Sequence, residues 1–306
     1  MTKKNKALSG LTFLLITVFL TINYYGPRMI IQINGGVFSY IRPSHHQQTT
    51  PEYLGLVSEN LKIISHDGLQ LSAILIKANT TEQKGTVILV HGIRAYKEHF
   101  LPVCKRLADE GFNSVIIDLR GHGESEGLYC TFGYHEKKDI KALVDVLYQT
   151  AGVSNNLGVW GQSLGGAVAL QALALDKRLK FGIIESTFAD FRNIVYDYTR
   201  YHLGFNIPKV TDYFIWRAES IGHFNADSIR PAQSAKEITQ PVLLVHGEKD
   251  GRIKYKYGKQ IFENLAYPEK EFISYPEGNH LNVWAIGGER YFEKVIEFLE
   301  RSENEM

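Results

Sequence analysis

LGVWGQSLGG at residues 157–166 joins a short apolar run to a turn with glycine on both sides of Ser163. The run at 157–160 predicts a buried strand, and the small apolar residues at 165–175 predict a helix directly after the turn. A sharp turn from strand to helix raises a serine hydroxyl above the edge of a sheet, and glycines there let backbone segments approach closely. It also aims backbone N–H groups at a point beside the hydroxyl. The segment therefore indicates an α/β fold with Ser163 as its candidate nucleophile.

One other interpretation of this turn is open at this point, and a second is excluded. A purely structural glycine-rich turn would need nothing from Ser163. A phosphate-binding loop would need Gly-Lys-Ser/Thr or G-x-G-x-x-G, and the turn has neither pattern.

Outward from the turn, the chain alternates strands with helices. Apolar runs predict strands at 61–64, 69–76, 86–90, 114–118, 181–184, 242–245 and 270–274, and helical periodicity predicts helices at 101–110, 136–150, 165–175, 255–265 and 291–301. Asp67 and Gly68 between the first two runs are typical of a hairpin. The later strands alternate with helices, which is typical of parallel neighbours joined by right-handed crossovers. We predict a mostly parallel sheet with an antiparallel start and helices on both faces.

More than fifty residues, many of them aromatic, separate the strand at 181–184 from the strand at 242–245. That is too long for a structureless loop in a compact domain. We predict that residues 185–240 form a small helical cap over the site. The alternative is an ordinary crossover helix with extra packing turns.

A serine nucleophile needs a base at neutral pH, and the base needs a group that holds its tautomer. His280 lies in the loop before the last helix, and Asp250 follows the strand at 242–245. Both loops leave the carboxyl ends of strands, the same sheet edge as Ser163. In protein folds that have this kind of turn, the three residues occur along the chain in the order serine, aspartate, histidine, as they do here. The sequence therefore predicts a triad of Ser163, His280 and Asp250, with Glu248 and Asp227 as fallback acids.

An acyl-transfer site also needs donors for the oxyanion. His91-Gly92-Ile93-Arg94 follows the strand at 86–90, so its loop can aim the N–H of Ile93 at the same point as the N–H of Leu164. We predict these two N–H groups as the oxyanion hole. Arg94 is expected to be a surface or packing residue, with steering of an anionic substrate as the alternative.

Jointly these segments resemble the α/β-hydrolase superfamily from about residue 55 to 301. The matching segments are His91-Gly92, Asp118-Leu119-Arg120-Gly121-His122-Gly123-Glu124-Ser125, Gly161-Gln162-Ser163-Leu164-Gly165-Gly166, residues 241–250 and Gly278-Asn279-His280. The resemblance implies a sheet of the eight-stranded α/β-hydrolase type. Within the superfamily, the chain looks most like bacterial single-domain serine hydrolases with a short cap, several of which carry an N-terminal membrane anchor. Esterases, monoacylglycerol and acyl-thioester hydrolases and some peptidases are related, so the substrate does not carry over. In that superfamily the turn at His122 is structural, so His122 is not the expected base, and His246 is interpreted as a strand-end residue.

The N-terminal part of the chain differs in charge from the rest. The 306 residues have a net charge of +1, yet 1–51 hold five basic and no acidic residues, which leaves 29 basic against 33 acidic residues in 52–306. The near balance excludes a globally basic nucleic-acid binder. Residues 7–25 form an uncharged, largely apolar stretch of nineteen residues directly after Lys3, Lys4 and Lys6, just long enough to cross a bilayer.

We therefore predict an uncleaved signal anchor at 1–28, a linker at 29–54 and a hydrolase domain at 55–306. The lysines before the apolar stretch predict a single-pass protein with its catalytic domain outside the cytoplasm. A cleaved signal peptide is an alternative that lacks a convincing small-residue site, and a soluble N-terminal helix is another.

Two cysteines cannot form a disulfide framework, and we expect Cys104 and Cys130 to be buried thiols, although an extracytoplasmic location would permit a bond. No cofactor and no metal ion is implied. The prediction is a serine hydrolase that cleaves an acyl ester, small or lipid-like, through an acyl-enzyme. Thioesterase and serine peptidase are alternatives, although a peptidase of this type would normally carry a propeller or larger cap. A catalytically idle binding protein is the alternative outside enzymes. The oligomeric state is not predicted.

Overall fold

A computed structural model describes residues 3–33 and 49–304. Its centre is an eight-stranded sheet in the order β1-β2-β4-β3-β5-β6-β7-β8. The strands are β1 (Ser58–Ile64), β2 (Gln70–Ile76), β3 (Gly85–Val90), β4 (Phe112–Ile117), β5 (Leu157–Gln162), β6 (Leu179–Glu185), β7 (Val242–Gly247) and β8 (Glu271–Tyr275). The hairpin β1–β2 and the pair β2–β4 are antiparallel, and the other pairs are parallel. The predicted α/β architecture is confirmed.

Helices cover both faces of the sheet. In chain order they are α1 (Lys3–Leu20), α2 (Gly26–Ile31), α3 (Leu101–Asp109), α4 (Glu136–Leu147), α5 (Leu164–Leu175), α6 (Phe191–Leu203), α7 (Pro208–Gly222), α8 (Pro231–Ser234), α9 (Tyr255–Asn264) and α10 (Val283–Asn304). In β3, Ile88 and Val90 pack into the core on one face, whereas Val87 and Leu89 pack into the core on the other. Both faces are buried, so the central strands are continuously apolar rather than alternating.

The last helix begins earlier than predicted. It starts at Val283 rather than residue 291, and it changes direction at Gly288, which has φ 53° and ψ −145°. The residues before this bend contain too few periodic positions to predict a helix, because the apolar 283–286 are followed at once by two glycines.

The cap is helical, as predicted. Between β6 and β7 the chain forms the helical hairpin of α6 and α7, then the short helix α8 and two 3-10 turns. Asp190 caps α6 by accepting from the N–H of Asn193, and Gly204 ends α6 in the left-handed region at φ 78°.

The N-terminal helix runs from Lys3 to Ile31, because a π-helical segment (Thr21–Tyr25) joins α1 to α2 without a break in helical backbone angles. Residues 8–31 are long and apolar enough to cross a membrane by length and composition. The buried end of this helix, Gly26–Ile31, packs on α7, so the predicted limit at residue 28 falls inside a docked segment. Most of the predicted linker, residues 34–48, lies outside the described residues.

Candidate active site

Ser163 occupies a strained turn at the carboxyl end of β5. Its φ of 57° and ψ of −115° are unusual for a residue with a side chain. The turn is possible because glycines flank it: a Cβ on Gly165 would lie 1.9 Å from the carbonyl oxygen of Val90, and one on Gly161 would lie 2.1 Å from that of Gly165. The N–H of Ser163 donates to the carbonyl of Glu185 at 2.8 Å, which fixes the turn to β6. Strain of this kind is held where a side chain must be presented above a sheet edge.

The structure brings the three predicted triad residues together. His280 Nε2 lies 3.0 Å from Ser163 Oγ, and His280 Nδ1 lies 2.8 Å from Asp250 Oδ2. Ser163 is only 6% exposed and His280 7%. The chain of contacts has the spacing that a hydroxyl, an imidazole base and an orienting carboxylate need.

Asp250 is held so that one oxygen faces the imidazole. Its Oδ1 accepts the N–H of Arg252 at 2.9 Å and the N–H of Ile253 at 2.8 Å, which leaves Oδ2 for His280. His246 Nε2 is 3.6 Å from the same Oδ2 but lies 2.9 Å from the carbonyl of Ile253. Burial lowers the pKa of His246, so it is a neutral residue whose N–H donates to that carbonyl.

The fallback acids lie elsewhere. Glu248 accepts from the hydroxyl of Ser274 at 2.7 Å on an exposed surface. Asp227 belongs to the cap and accepts from Arg192 Nε at 2.5 Å. Neither of these carboxylates is hydrogen-bonded to His280.

The loop after β3, residues 91–96, carries the predicted donor Ile93 and packs against the serine, and we call it the oxyanion loop. A Cβ on Gly92 would lie 3.4 Å from Ser163 Cβ, so the turn that carries Ile93 borders the hydroxyl. Leu164 is the first residue of α5, and the N–H groups in the first turn of a helix have no acceptor within the helix. Both predicted donors therefore border Ser163, although their use in catalysis stays a prediction.

Buried His91 stabilises this loop. The N–H of Leu119 donates to His91 Nε2 at 3.1 Å, so the ring proton is on Nδ1, which donates to the carbonyl of Gly92 at 2.8 Å. Burial lowers the pKa of His91 to about 4, which keeps the ring neutral. The imidazole thus links the oxyanion loop to the end of β4.

A buried lysine clamps the same loop from its far end, and sequence reasoning missed it. Lys97 donates through its backbone N–H and its Nζ to Asp118, each at 2.8 Å, and through Nζ to Glu124 at 2.7 Å. Although burial lowers the pKa of Lys97, hydrogen bonds to these two carboxylates raise it to about 12. Glu124 sits within the matched segment 118–125, but nothing in the sequence pairs it with a lysine outside that segment.

Glu185 is a second residue that sequence reasoning missed. Its buried carboxylate accepts from the indoles of Trp160 and Trp284 at 2.9 Å, from Gln162 at 3.3 Å and from the hydroxyl of Tyr291. All of these donors are neutral, and burial raises the pKa of the carboxyl. Trp284 follows the loop that carries His280, so this cluster connects that loop to the end of β6, where the carbonyl of Glu185 accepts from the N–H of Ser163.

The cap lies beside the site. Tyr198 of α6 is close enough to Arg252, Asp250 and Arg94 for their charges to affect it, and burial together with Asp250 raises its pKa to about 12. Tyr201, one turn further on, approaches the loop after Asp250: its ring is 3.9 Å from where a Cβ on Gly251 would stand. The helix α6 therefore passes beside the loop that follows Asp250, which we call the acid loop.

Among residues 3–33 and 49–304, one cluster of side chains has the atom types and the spacing that could hold a metal ion. Ligand atoms of His66, Asp67 and His135 lie within 4.8 Å of one another. Both oxygens of Asp67, however, accept from the guanidinium of Arg120, at 2.9 and 3.0 Å. Because this cation already satisfies the carboxylate, the group gives no support for a resident metal. Cys104 and Cys130 are buried free thiols, as predicted.

The fold and the arrangement of these loops define an α/β hydrolase. Residues 99–304, more than half of the chain, match the model of the prolyl oligopeptidase family, and the chain belongs to that family. It is similar to the alpha/beta hydrolase domain-containing protein WAV2 of Arabidopsis thaliana, with 26% identity over 260 residues that cover 82% of each chain. It is also similar to protein bem46 of Schizosaccharomyces pombe, with 25% identity covering 84% of this chain and 81% of that protein.

Among solved structures, the esterase Pf2001 of Pyrococcus furiosus is similar, with a TM-score of 0.71 and 26% identity. The match covers 85% of this chain and 96% of the esterase. The family and this likeness identify the chain as a hydrolase, which agrees with the class predicted from the sequence.

Proposed function

We propose that the protein is a membrane-anchored serine hydrolase that cleaves carboxylic esters. The observation that carries the proposal is the hydrogen-bonded series Asp250–His280–Ser163, with Ser163 on a strained turn beside two backbone donors. The similarity to an esterase over most of both chains supports an ester as substrate.

In this mechanism His280 Nε2 accepts the proton of Ser163 as Oγ attacks the acyl carbonyl, while Asp250 stabilises the imidazolium that forms. The N–H groups of Ile93 and Leu164 hold the oxyanion, and one such donor is typically worth about 10² to 10³ in rate. His280 then returns the proton to the leaving alcohol, which departs and leaves the acyl-enzyme. Water, deprotonated by the same imidazole, attacks this ester, and the acid is released with the hydroxyl of Ser163 restored.

The experiment is covalent labelling with a fluorophosphonate, which phosphonylates an activated serine. We expect labelling of the wild type and none of Ser163→Ala. Ser186→Ala is the matched control, because Ser186 is also buried and its hydroxyl has no hydrogen-bond partner among the described residues. Equal labelling of Ser163→Ala and the wild type would contradict the nucleophile assignment, and an unlabelled wild type would favour an idle binding protein.

A serine peptidase is the second candidate, because the matching family is that of prolyl oligopeptidase. Both reactions use the same triad, and they differ in the leaving group that His280 must protonate. Comparison of kcat/KM for p-nitrophenyl butyrate and for a Gly-Pro p-nitroanilide separates them. We expect the ester to be favoured, and a preference for the anilide would make the protein a peptidase.

The N-terminal helix is part of the proposal. Its exposed apolar stretch follows three lysines, which predicts that residues 7–25 span a bilayer with the hydrolase domain outside the cytoplasm. Thioester hydrolysis remains an alternative chemistry for the same site.

A further inference from the structure

The end of the cap hairpin presents four apolar side chains that are largely exposed in the described protein. Leu203, Phe205, Ile207 and Val210 are 60%, 58%, 53% and 42% exposed, and we call these four residues and the loop they share the cap tip. Scattered exposed apolar residues are ordinary, but four within eight positions form a patch of the kind that marks an interaction surface.

The cap tip lies on the side of the domain from which the N-terminal helix α1 arrives. Tyr213 donates to Asn23 Oδ1 at 2.6 Å, and a Cβ on Gly26 would lie 2.6 Å from the ring of Phe214. Further along both helices, Ile31 approaches Gly222. Because the residue numbers rise together in these contacts, α7 and α2 run parallel, and the start of α7 lies on the side from which α1 arrives.

This geometry places the cap tip at the level of the apolar stretch. Ile207 precedes Tyr213 by six residues, a displacement of about 9 Å along a helix axis. The same displacement back from Asn23, the partner of Tyr213, reaches Thr17. Thr17 lies inside the uncharged stretch 7–25, and the side chains of residues 8–22 are exposed.

The composition around the cap tip also fits a lipid surface. Arg200, His202 and Lys209 lie around the cap tip, and the nearest acidic residues in the chain, Asp197 and Asp212, accept hydrogen bonds from Lys254 and Tyr196. Trp216, which is exposed, stands beside Tyr213, with ring centroids 5.6 Å apart. Basic and interfacial aromatic residues around an apolar patch are what an interface with anionic lipid selects.

We propose that the cap tip inserts into the same bilayer that α1 spans, so that the site receives its ester from the membrane. The route is short, because α6 connects the cap tip to the acid loop: Tyr201 lies two residues before Leu203, and its ring is 3.9 Å from where a Cβ on Gly251 would stand. The substrate class is therefore a lipid-like ester whose acyl chain resides in the bilayer. This inference rests on the proposed function for the reaction, but the position of the cap tip can be measured without it.

The first test measures depth in the membrane. Leu203→Cys and, as the matched control, Leu128→Cys are labelled with a nitrobenzoxadiazole fluorophore in the full chain, which is reconstituted in phosphatidylcholine–phosphatidylglycerol vesicles. Leu128 is similarly exposed, at 63%, but lies near the Cys130 N–H that donates to Ile31, far from the level of Thr17. The native thiols are fully buried.

We expect doxyl-labelled phosphatidylcholine to quench the fluorophore at position 203 several-fold more than at 128. Equal quenching at both positions, or none at 203, would overturn the proposal. An environment at 203 that is apolar without lipid quenching would assign the cap tip to a second copy of the chain or another protein.

The second test asks whether the cap tip delivers substrate. Leu203→Asp combined with Phe205→Asp is compared with Leu128→Asp on p-nitrophenyl palmitate in the same vesicles and on soluble p-nitrophenyl acetate. We expect the activity of the cap-tip variant to fall at least tenfold on the palmitate ester and less than twofold on the acetate ester. The activity of the control variant should not fall on either ester. An equal loss on both esters, or no loss, would overturn the substrate route. A wild type that hydrolyses neither ester would instead refute the proposed function, and the quenching result would still stand.

Discussion

His91 and His122 lie behind the oxyanion loop with their ring centroids 5.0 Å apart. His122 Nδ1 lies 3.0 Å from the carbonyl of Arg120, to which it donates. Burial is the main cause that lowers the pKa of His91 to about 4 and that of His122 to about 3. Two imidazoles are therefore kept neutral at the point where the loops after β3 and β4 meet.

These histidines predict how stability depends on pH. Their pKa values in the folded protein lie below the ordinary value near 6.5, so between about pH 6.5 and 4 the unfolded chain binds more protons. The contribution of these two histidines to the free energy of unfolding is therefore complete above pH 6.5 and is lost as the pH falls towards their folded pKa values, about 4 and about 3. One such histidine lowers the free energy of unfolding by about 2 kcal/mol between pH 7 and pH 5.

His122→Asn tests this, because the asparagine amide can still donate to the carbonyl of Arg120. We expect the difference in free energy of unfolding between pH 7 and pH 5, measured by urea in detergent micelles, to shrink by about 2 kcal/mol. His202→Asn, at the exposed end of α6, is the comparison variant outside this buried pair. An unchanged pH dependence in His122→Asn would show that this ring is not held neutral.

For individual residues, the sequence was informative about the candidate site where a residue belongs to a recognisable motif. Ser163, Asp250 and His280 follow three strands at one edge, so the order of elements sufficed to bring them together, and the structure places them in contact. Glu185 could not be found in this way, because its donors lie on β5 and at two places in α10. A contact of this kind depends on packing and not on spacing along the chain.

At the scale of elements, the N-terminal helix is the part whose packing the sequence did not predict. Its composition predicted a span, but the docking of α2 on α7 includes a close approach at Gly26. A Cβ on Gly26 would lie 2.6 Å from the Phe214 ring, so the two helices can meet only where a side chain is missing. A single glycine between Tyr25 and Pro27 carries no signal of such a contact.

Gly26→Leu should therefore separate α2 from the cap. Overpacking at a close contact typically costs about 1–3 kcal/mol, and each kcal/mol lowers the Tm of a domain of this size by about 2–4 °C. Gly10→Leu is the matched control in the same helix, because nothing lies within 4 Å of a Cβ there. We expect a lower Tm and faster proteolysis of the cap in micelles for Gly26→Leu alone, and equal behaviour of the two variants would show that the docking contributes nothing.

For the whole molecule, the charge distribution and the docked helix act together. The five basic residues of 1–51 include Lys3, Lys4 and Lys6 before the apolar stretch and Arg28 and Arg42 after it. Arg28 lies over the ring of Tyr24 at 3.7 Å, at the level where the helix meets the cap. If 7–25 span the bilayer, the cap and the candidate active site lie on the Arg28 side of it, so the orientation of one helix decides the compartment of the proposed reaction.

The basic residues on the two sides of the stretch make this orientation testable. Three lysines against two arginines favour a cytoplasmic N-terminus, and replacing Lys3, Lys4 and Lys6 by alanine reverses the bias. We expect protease added to intact cells to cut the wild-type domain, and the triple alanine variant to become largely protected. The triple arginine variant keeps the positive charges and should be cut like the wild type, and permeabilised cells verify that each variant is cleavable. A wild-type domain protected in intact cells would place the triad and the cap tip on the cytoplasmic leaflet, with the same geometry relative to the bilayer but a different pool of esters.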